Sequence, residues 1–68
     1  MNKIKFILTD YLGSSKEINF SKKQIKQLNK LENIDARIKQ TADELSENYW
    51  VVVKIDGKEY YNAQWAQV

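Results

Sequence analysis

The stretch Tyr49-Trp50-Val51-Val52-Val53-Lys54-Ile55-Asp56-Gly57-Lys58-Glu59-Tyr60-Tyr61-Asn62-Ala63-Gln64-Trp65 decides how the rest of the chain is read. Two runs of β-branched and aromatic residues flank Asp56-Gly57, which is the signature of a β-hairpin. A two-residue Asp-Gly turn would pair Ile55 with Lys58, Val53 with Tyr60 and Val51 with Asn62, mixing polar and apolar residues on both faces. A three-residue loop, Ile55-Asp56-Gly57 with Gly57 left-handed and a bulge, shifts the register by one residue. Tyr49, Val51, Val53, Tyr61, Ala63 and Trp65 then share an apolar face, and Trp50, Val52, Lys54, Tyr60, Asn62 and Gln64 share the other. Because a one-residue slip turns every side chain of a strand over, the hydrophobic pattern favours the three-residue loop over the two-residue turn.

Toward the N-terminus a second hairpin is expected. Residues 3–12 alternate, with Ile4, Phe6 and Leu8 on one side and Lys3, Lys5 and Thr9 on the other. Gly13-Ser14-Ser15 reads as the turn, and Lys16-Glu17-Ile18-Asn19-Phe20 as the returning strand. That loop pairs Leu12 with Lys16, Asp10 with Ile18 and Leu8 with Phe20.

Between the hairpins, Ser21-Lys22-Lys23-Gln24 has the form of a capping box, with Phe20 and Ile25 spaced as a hydrophobic staple. Ile25, Leu28, Leu31, Ile34, Ile38, Ala42 and Leu45 then recur at helical intervals. A single helix of about 26 residues would be roughly 39 Å long, against about 20–27 Å for strands of six to eight residues. Ile25 and Ile34 would also point to opposite sides of it. A kink or break at Asn33-Ile34-Asp35, where two capping residues stand, resolves both conflicts. The expectation is one α+β domain over residues 1–68 of order ββαββ. It comprises a four-stranded, mainly antiparallel sheet with one kinked or broken helix on one face. Its core is expected from Ile4, Phe6, Leu8, Ile18, Phe20, Leu28, Leu31, Ile38, Leu45, Val51, Val53 and Tyr61.

Composition narrows the chemistry. The 68 residues include no cysteine, histidine or proline, which removes thiolate, imidazole and most metal chemistry. Gly13 and Gly57 are the only glycines and both serve turns, so no phosphate-cradling loop is available. Asp43 and Glu47 share a helical face four residues apart, yet lack the further ligands of a metal site. No catalytic residue, metal site or cofactor is therefore expected, and the chain reads as a non-enzyme. The apolar run around Phe6-Ile7-Leu8 is too short for a signal core or a membrane span, and a cytoplasmic location without membrane partners is expected.

Charge is uneven. Residues 1–30 carry seven lysines against Asp10 and Glu17, and residues 31–68 carry four cations against seven acids, so +5 is followed by −3. Along the helical region Lys22, Lys23 and Lys26 crowd the beginning and Asp43, Glu44 and Glu47 the end, the reverse of what a helix macrodipole favours. Charges kept against a local rule point to a partner; the competing reading is a loosely selected solvated surface.

The outer face of the terminal hairpin is the other candidate. Trp50 and Tyr60, with Val52, Lys54, Asn62 and Gln64 around them, are residue types enriched at binding hot spots, unless the alternate register holds or a terminal segment or a homodimer mate covers them. Small size, lysine- and asparagine-rich composition and missing chemistry suit an accessory protein of a phage or mobile element. The expected function is thus a small non-catalytic binding or inhibitor protein that occludes a host protein or complex, an anti-CRISPR-like mode of action. The alternative is a nucleic-acid-binding protein using the sheet aromatics and the N-terminal lysines. A net charge of +2 and a single arginine weigh against it.

Overall fold

The computed structural model describes residues 2–64. Six elements follow in the order β1 (Ile4–Thr9), β2 (Ser15–Asn19), α1 (Lys22–Leu28), α2 (Ile34–Leu45), β3 (Trp50–Ile55) and β4 (Lys58–Ala63). The strands form one antiparallel sheet in the order β2-β1-β3-β4. An α+β fold with a four-stranded antiparallel sheet is as expected, but two separate helices replace the single broken one, so the order is ββααββ rather than ββαββ.

The helix break falls earlier than Asn33-Ile34-Asp35. After Leu28 the chain tightens into turns, Lys30 N–H donating to the Gln27 carbonyl and Leu31 N–H to that of Leu28. Asn33 then takes the left-handed conformation, φ 59° and ψ 38°, which asparagine tolerates better than most residues. It stands at the N-cap of α2 without a side-chain capping hydrogen bond. Asp35 instead sits in the first turn, where the helix dipole welcomes it, and pairs with Lys39 at 3.2 Å. The twelve residues of α2 make a helix of about 18 Å, matching six-residue strands of about 20 Å. The capping box at α1 forms as its sequence implies: Gln24 N–H donates to Ser21 Oγ at 3.2 Å and Ser21 N–H to Gln24 Oε1 at 2.8 Å.

The core lies between the helices and one sheet face. Ile4, Phe6, Leu8, Val51 and Val53 from the central strands meet Ile25, Ile38 and Ala42 from the helices, and Ala63 closes it at β4. Phe20 stacks on Phe6 at 5.4 Å between ring centroids. Two expected core residues are largely outside it, Ile18 at 42% and Leu31 at 41% exposure. α2 lies across β3 and β4, leaving the helix-side face of the β2 edge only partly covered.

Both hairpins differ in register from expectation. The terminal one uses the two-residue turn: Ile55 pairs with Lys58 and Lys54 with Glu59, with Asp56 at φ 52° and Gly57 at φ 83°. Positive φ at both positions is what a type I′ turn requires. Between Val53 and Lys54 the register then shifts, so that Val53 faces Tyr61 and Val51 faces Ala63. The extra residue is Tyr60. The apolar sorting that the three-residue loop was meant to deliver is delivered by a bulge beyond the turn. Asp56 explains the preference, because its carboxylate accepts the backbone N–H groups of Asn2 and Lys3 at 3.0 and 2.9 Å. Trp65, expected on the apolar face, lies outside the described residues.

In the first hairpin Phe6 pairs with Ile18 and Leu8 with Lys16, four residues away from the expected register. An even shift keeps the faces but moves the turn to Asp10–Ser14. Asp10 fixes it: its carboxylate accepts the N–H groups of Leu12 and Ser14 at 2.9 and 3.0 Å, and its carbonyl accepts that of Gly13 at 3.0 Å. Gly13, at φ 87°, supplies the left-handed step.

Candidate functional site

The sheet face away from the helices carries most of the expected hairpin surface, but not all of it. Cross-strand register places Asn19, Lys5, Lys54 and Glu59 in one row, Glu17, Ile7, Val52 and Asn62 in the next, and Ser15, Thr9 and Trp50 in a third. Trp50 is 38% exposed, and its indole N–H donates to Asn62 Oδ1 at 2.6 Å. Gln64 is exposed. Lys54 is flanked by Lys5 on one side and Glu59 on the other, and Lys5 bridges to Glu17 at 3.0 Å.

Tyr60 does not join this surface. As the bulged residue it turns with Tyr61 toward α2, where Lys39 Nζ lies 5.9 and 5.7 Å from the two ring centroids, and it packs half-buried against the core. The paired outer aromatics expected from sequence are therefore Trp50 alone among the described residues.

The two charged groups of the helical region lie at opposite ends of the sheet. Lys22 and Lys26 border a cleft of about 480 Å³ with Lys3, Asn2 and Ile25, at the end where β1 begins. Lys23 is exposed on the same helix. Asp43, Glu44 and Glu47 border a shallow cleft with Lys39 and Tyr61, near the opposite end, where β3 begins. The first turn of α1 has no acid and the last turn of α2 no base, against the dipole preference, but with two helices Lys26 falls in the last turn of α1 and Asp35 in the first of α2, where the dipole favours them. Asp43 has a definite role: it accepts the Tyr61 hydroxyl at 2.8 Å. That hydrogen bond, with lesser help from desolvation and from the negative charge itself, raises the Tyr61 pKa above its ordinary value. Glu44 accepts from Gln40 at 3.4 Å.

Sequence reasoning missed the most exposed apolar side chains. Tyr11 is 82% and Leu12 75% exposed, at the tip of the loop that Asp10 pins. Thr9 lies directly opposite both Ser15 and Trp50, so this loop and Trp50 share one end of the sheet. A signal was present, since Asp10-Tyr11-Leu12-Gly13 places Asp first and Gly fourth as type I turns prefer. The alternation of residues 3–12 had absorbed it into a strand.

The described residues hold no group of three or more metal-ligating side chains, and none of their helices is long and apolar enough to cross a membrane. Compared with known proteins, the chain matches no family model, no curated protein and no solved structure.

Proposed function

We propose that the chain is a non-catalytic binding protein that docks onto a partner protein through the sheet end carrying Tyr11, Leu12 and Trp50. The observation that carries this reading is the exposure of Tyr11 and Leu12, 82% and 75%, on a loop whose backbone is fixed by three hydrogen bonds to Asp10. Neither side chain contributes to the core. Large apolar groups displayed on a rigid support lose little conformational freedom on binding, which is the economy of preorganised interfaces. Tyr and Trp are also the usual anchors of hot spots.

The matching mode of action is stoichiometric occlusion of a host macromolecule in the cytoplasm, as anti-CRISPR proteins achieve it. Small size, the lack of catalytic motifs in the sequence and a lysine- and asparagine-rich composition, as expected of a phage or mobile-element accessory protein, support that reading. Affinity capture from a bacterial host lysate with wild type and the Tyr11→Ser/Leu12→Ser variant tests it. Losing an anchoring aromatic costs about 2–4 kcal/mol, or roughly 30-fold to 1000-fold in affinity. A stoichiometric partner should be lost from the variant while its melting stays that of wild type; equal capture by both would move the docking surface elsewhere.

A second reading rests on Lys5 and Lys54, side by side across β1 and β3 on an open sheet face, where a polyanion would compete with Glu17, which bridges Lys5, and with Glu59, which stands opposite Lys54. Nucleic-acid binding of this kind falls steeply and log-linearly with salt. Titrations of labelled DNA and RNA at ~50 and ~200 mM salt separate it from an aromatic-centred protein interface.

A further inference from the structure

We propose that the free edge of β2 pairs antiparallel with β2 of a second copy, joining two four-stranded sheets into one eight-stranded sheet about a two-fold axis at Ile18. Hydrogen bonds of the first hairpin locate the unpaired backbone. Phe20 N–H donates to the Ile4 carbonyl and Asp10 N–H to that of Ser14, and Phe6 and Leu8 face Ile18 and Lys16. Alternation along an antiparallel ladder therefore turns the N–H and C=O groups of even residues toward β1. Those of Ser15, Glu17 and Asn19 point outward from the edge strand.

Edge strands are commonly blunted by proline, a bulge or charge. β4, the opposite edge, has its bulge at Tyr60 and the charged pair Lys58-Glu59. β2 has an unbroken five-residue register and every residue exposed, and the chain contains no proline. Its one charge on the helix side, Lys16, is drawn back from the edge: Nζ donates to the Tyr49 hydroxyl at 3.3 Å and sits 4.9 Å over the Tyr49 ring. Ile18, the fourth of the strand's five residues, is left 42% exposed.

Charge selects the register. Outward-facing residues must pair with outward-facing residues, so the axis passes through a residue of β2 and not between two; at Ser15 or Asn19 the two strands would overlap by a single residue, which leaves Lys16, Glu17 and Ile18. Centring on Lys16 opposes two lysines, and centring on Glu17 opposes two carboxylates, both unfavourable. Centring on Ile18 opposes Ile18 to Ile18, Glu17 to the second copy's Asn19, and Lys16 to its Phe20. No like charges meet, and the outward backbone groups of Glu17 and Asn19 from both copies all find partners.

Cysteine trapping tests this cleanly, because the chain has no cysteine of its own. Facing residues of a non-hydrogen-bonded antiparallel pair have Cα atoms about 4.5 Å apart, within the roughly 4.4–6.8 Å that a disulfide spans. Under mild oxidation Ile18→Cys should form a covalent dimer, whereas Glu17→Cys and the exposed loop control Ser14→Cys should not. Sedimentation equilibrium between ~10 and ~300 µM should show a dimer for wild type, a range suited to a small interface. Asn19→Pro removes an outward N–H without touching the β1 ladder, and should be monomeric with an unchanged circular dichroism spectrum. Ile18→Lys, which opposes two lysines at an already exposed position, gives the same readout should the proline variant fail to fold. Wild type that stays monomeric throughout, or Ile18→Cys cross-linking no faster than Ser14→Cys, overturns the proposal, and preferential cross-linking of Glu17→Cys overturns its register.

Discussion

Deleting Tyr60 should be tolerated, although it removes a residue from the middle of a strand. Lys54 faces Glu59 before the bulge and Val53 faces Tyr61 after it, so without Tyr60 the ladder closes into regular alternation and no other side chain changes face. The loss is then the ring itself. A half-buried tyrosine covers on the order of 100 Å², worth about 2–3 kcal/mol, and its contact with Lys39 adds about 0.5 kcal/mol. Tyr60→Ala loses the same ring while keeping the bulge, so the two variants should agree within ~1 kcal/mol, or about 4–8 °C in melting temperature for a domain this size. Deleting Val52 is the contrast. It forces either Val51 or Val53, both fully buried, to the open face, and turns Trp50 or Lys54 inward. Burial of one valine is worth about 1.5–3 kcal/mol, and the cavity left behind, or a lysine turned into it, adds more. Val52→Ala should melt cooperatively, whereas the Val52 deletion should show no cooperative transition by circular dichroism. A Tyr60 deletion that unfolds while Tyr60→Ala folds would refute this account of the bulge.

Phe6→Ala, which empties a site 2% exposed, should cost about 3–5 kcal/mol and abolish the cooperative urea transition of so small a domain. Tyr61 supplies a pH dependence. Its pKa is raised in the folded state by the hydrogen bond to Asp43, so the associated stability is present below the unfolded tyrosine value near ~10 and is lost as pH rises through the folded one. In Asp43→Asn the Tyr61 titration, followed by the NMR shift of its ring carbon, should fall back toward that ordinary value; an unmoved titration would mean the bond does not form.

Much of the sheet was legible because period-two patterning survives errors of detail. Ile4, Phe6 and Leu8 face the core under either first-hairpin register, since the two differ by an even number of residues. What periodicity could not distinguish was how the chain achieves that sorting. At Asp56 the deciding interaction is with Asn2 and Lys3, remote in sequence, and at Asp10 a local carboxylate overrode an alternating run. Capping at Ser21 was readable for the opposite reason: all its partners lie within three residues. Of the candidate site, Trp50, Lys54 and Asn62 lie on the open face together and Gln64 is exposed just beyond β4, while Tyr60 was lost to the bulge. Tyr11 and Leu12 were hidden because the alternating run of residues 3–12 reads as strand straight through them, whereas β1 ends at Thr9.

The strand order β2-β1-β3-β4 has a consequence for how the chain is made. Each hairpin closes over a short loop, an event of about 1–10 µs, but Phe6 and Val53 become buried against each other only when β1 meets β3. Neither hairpin owns enough of the core to persist alone. At a synthesis rate of about 5–20 residues per second, β1 therefore waits for seconds with Ile4, Phe6 and Leu8 uncovered until Val53 has left the ribosome. A chain stopped before β3 thus presents an apolar strand with one side unpaired to whatever in the cell surveys nascent proteins.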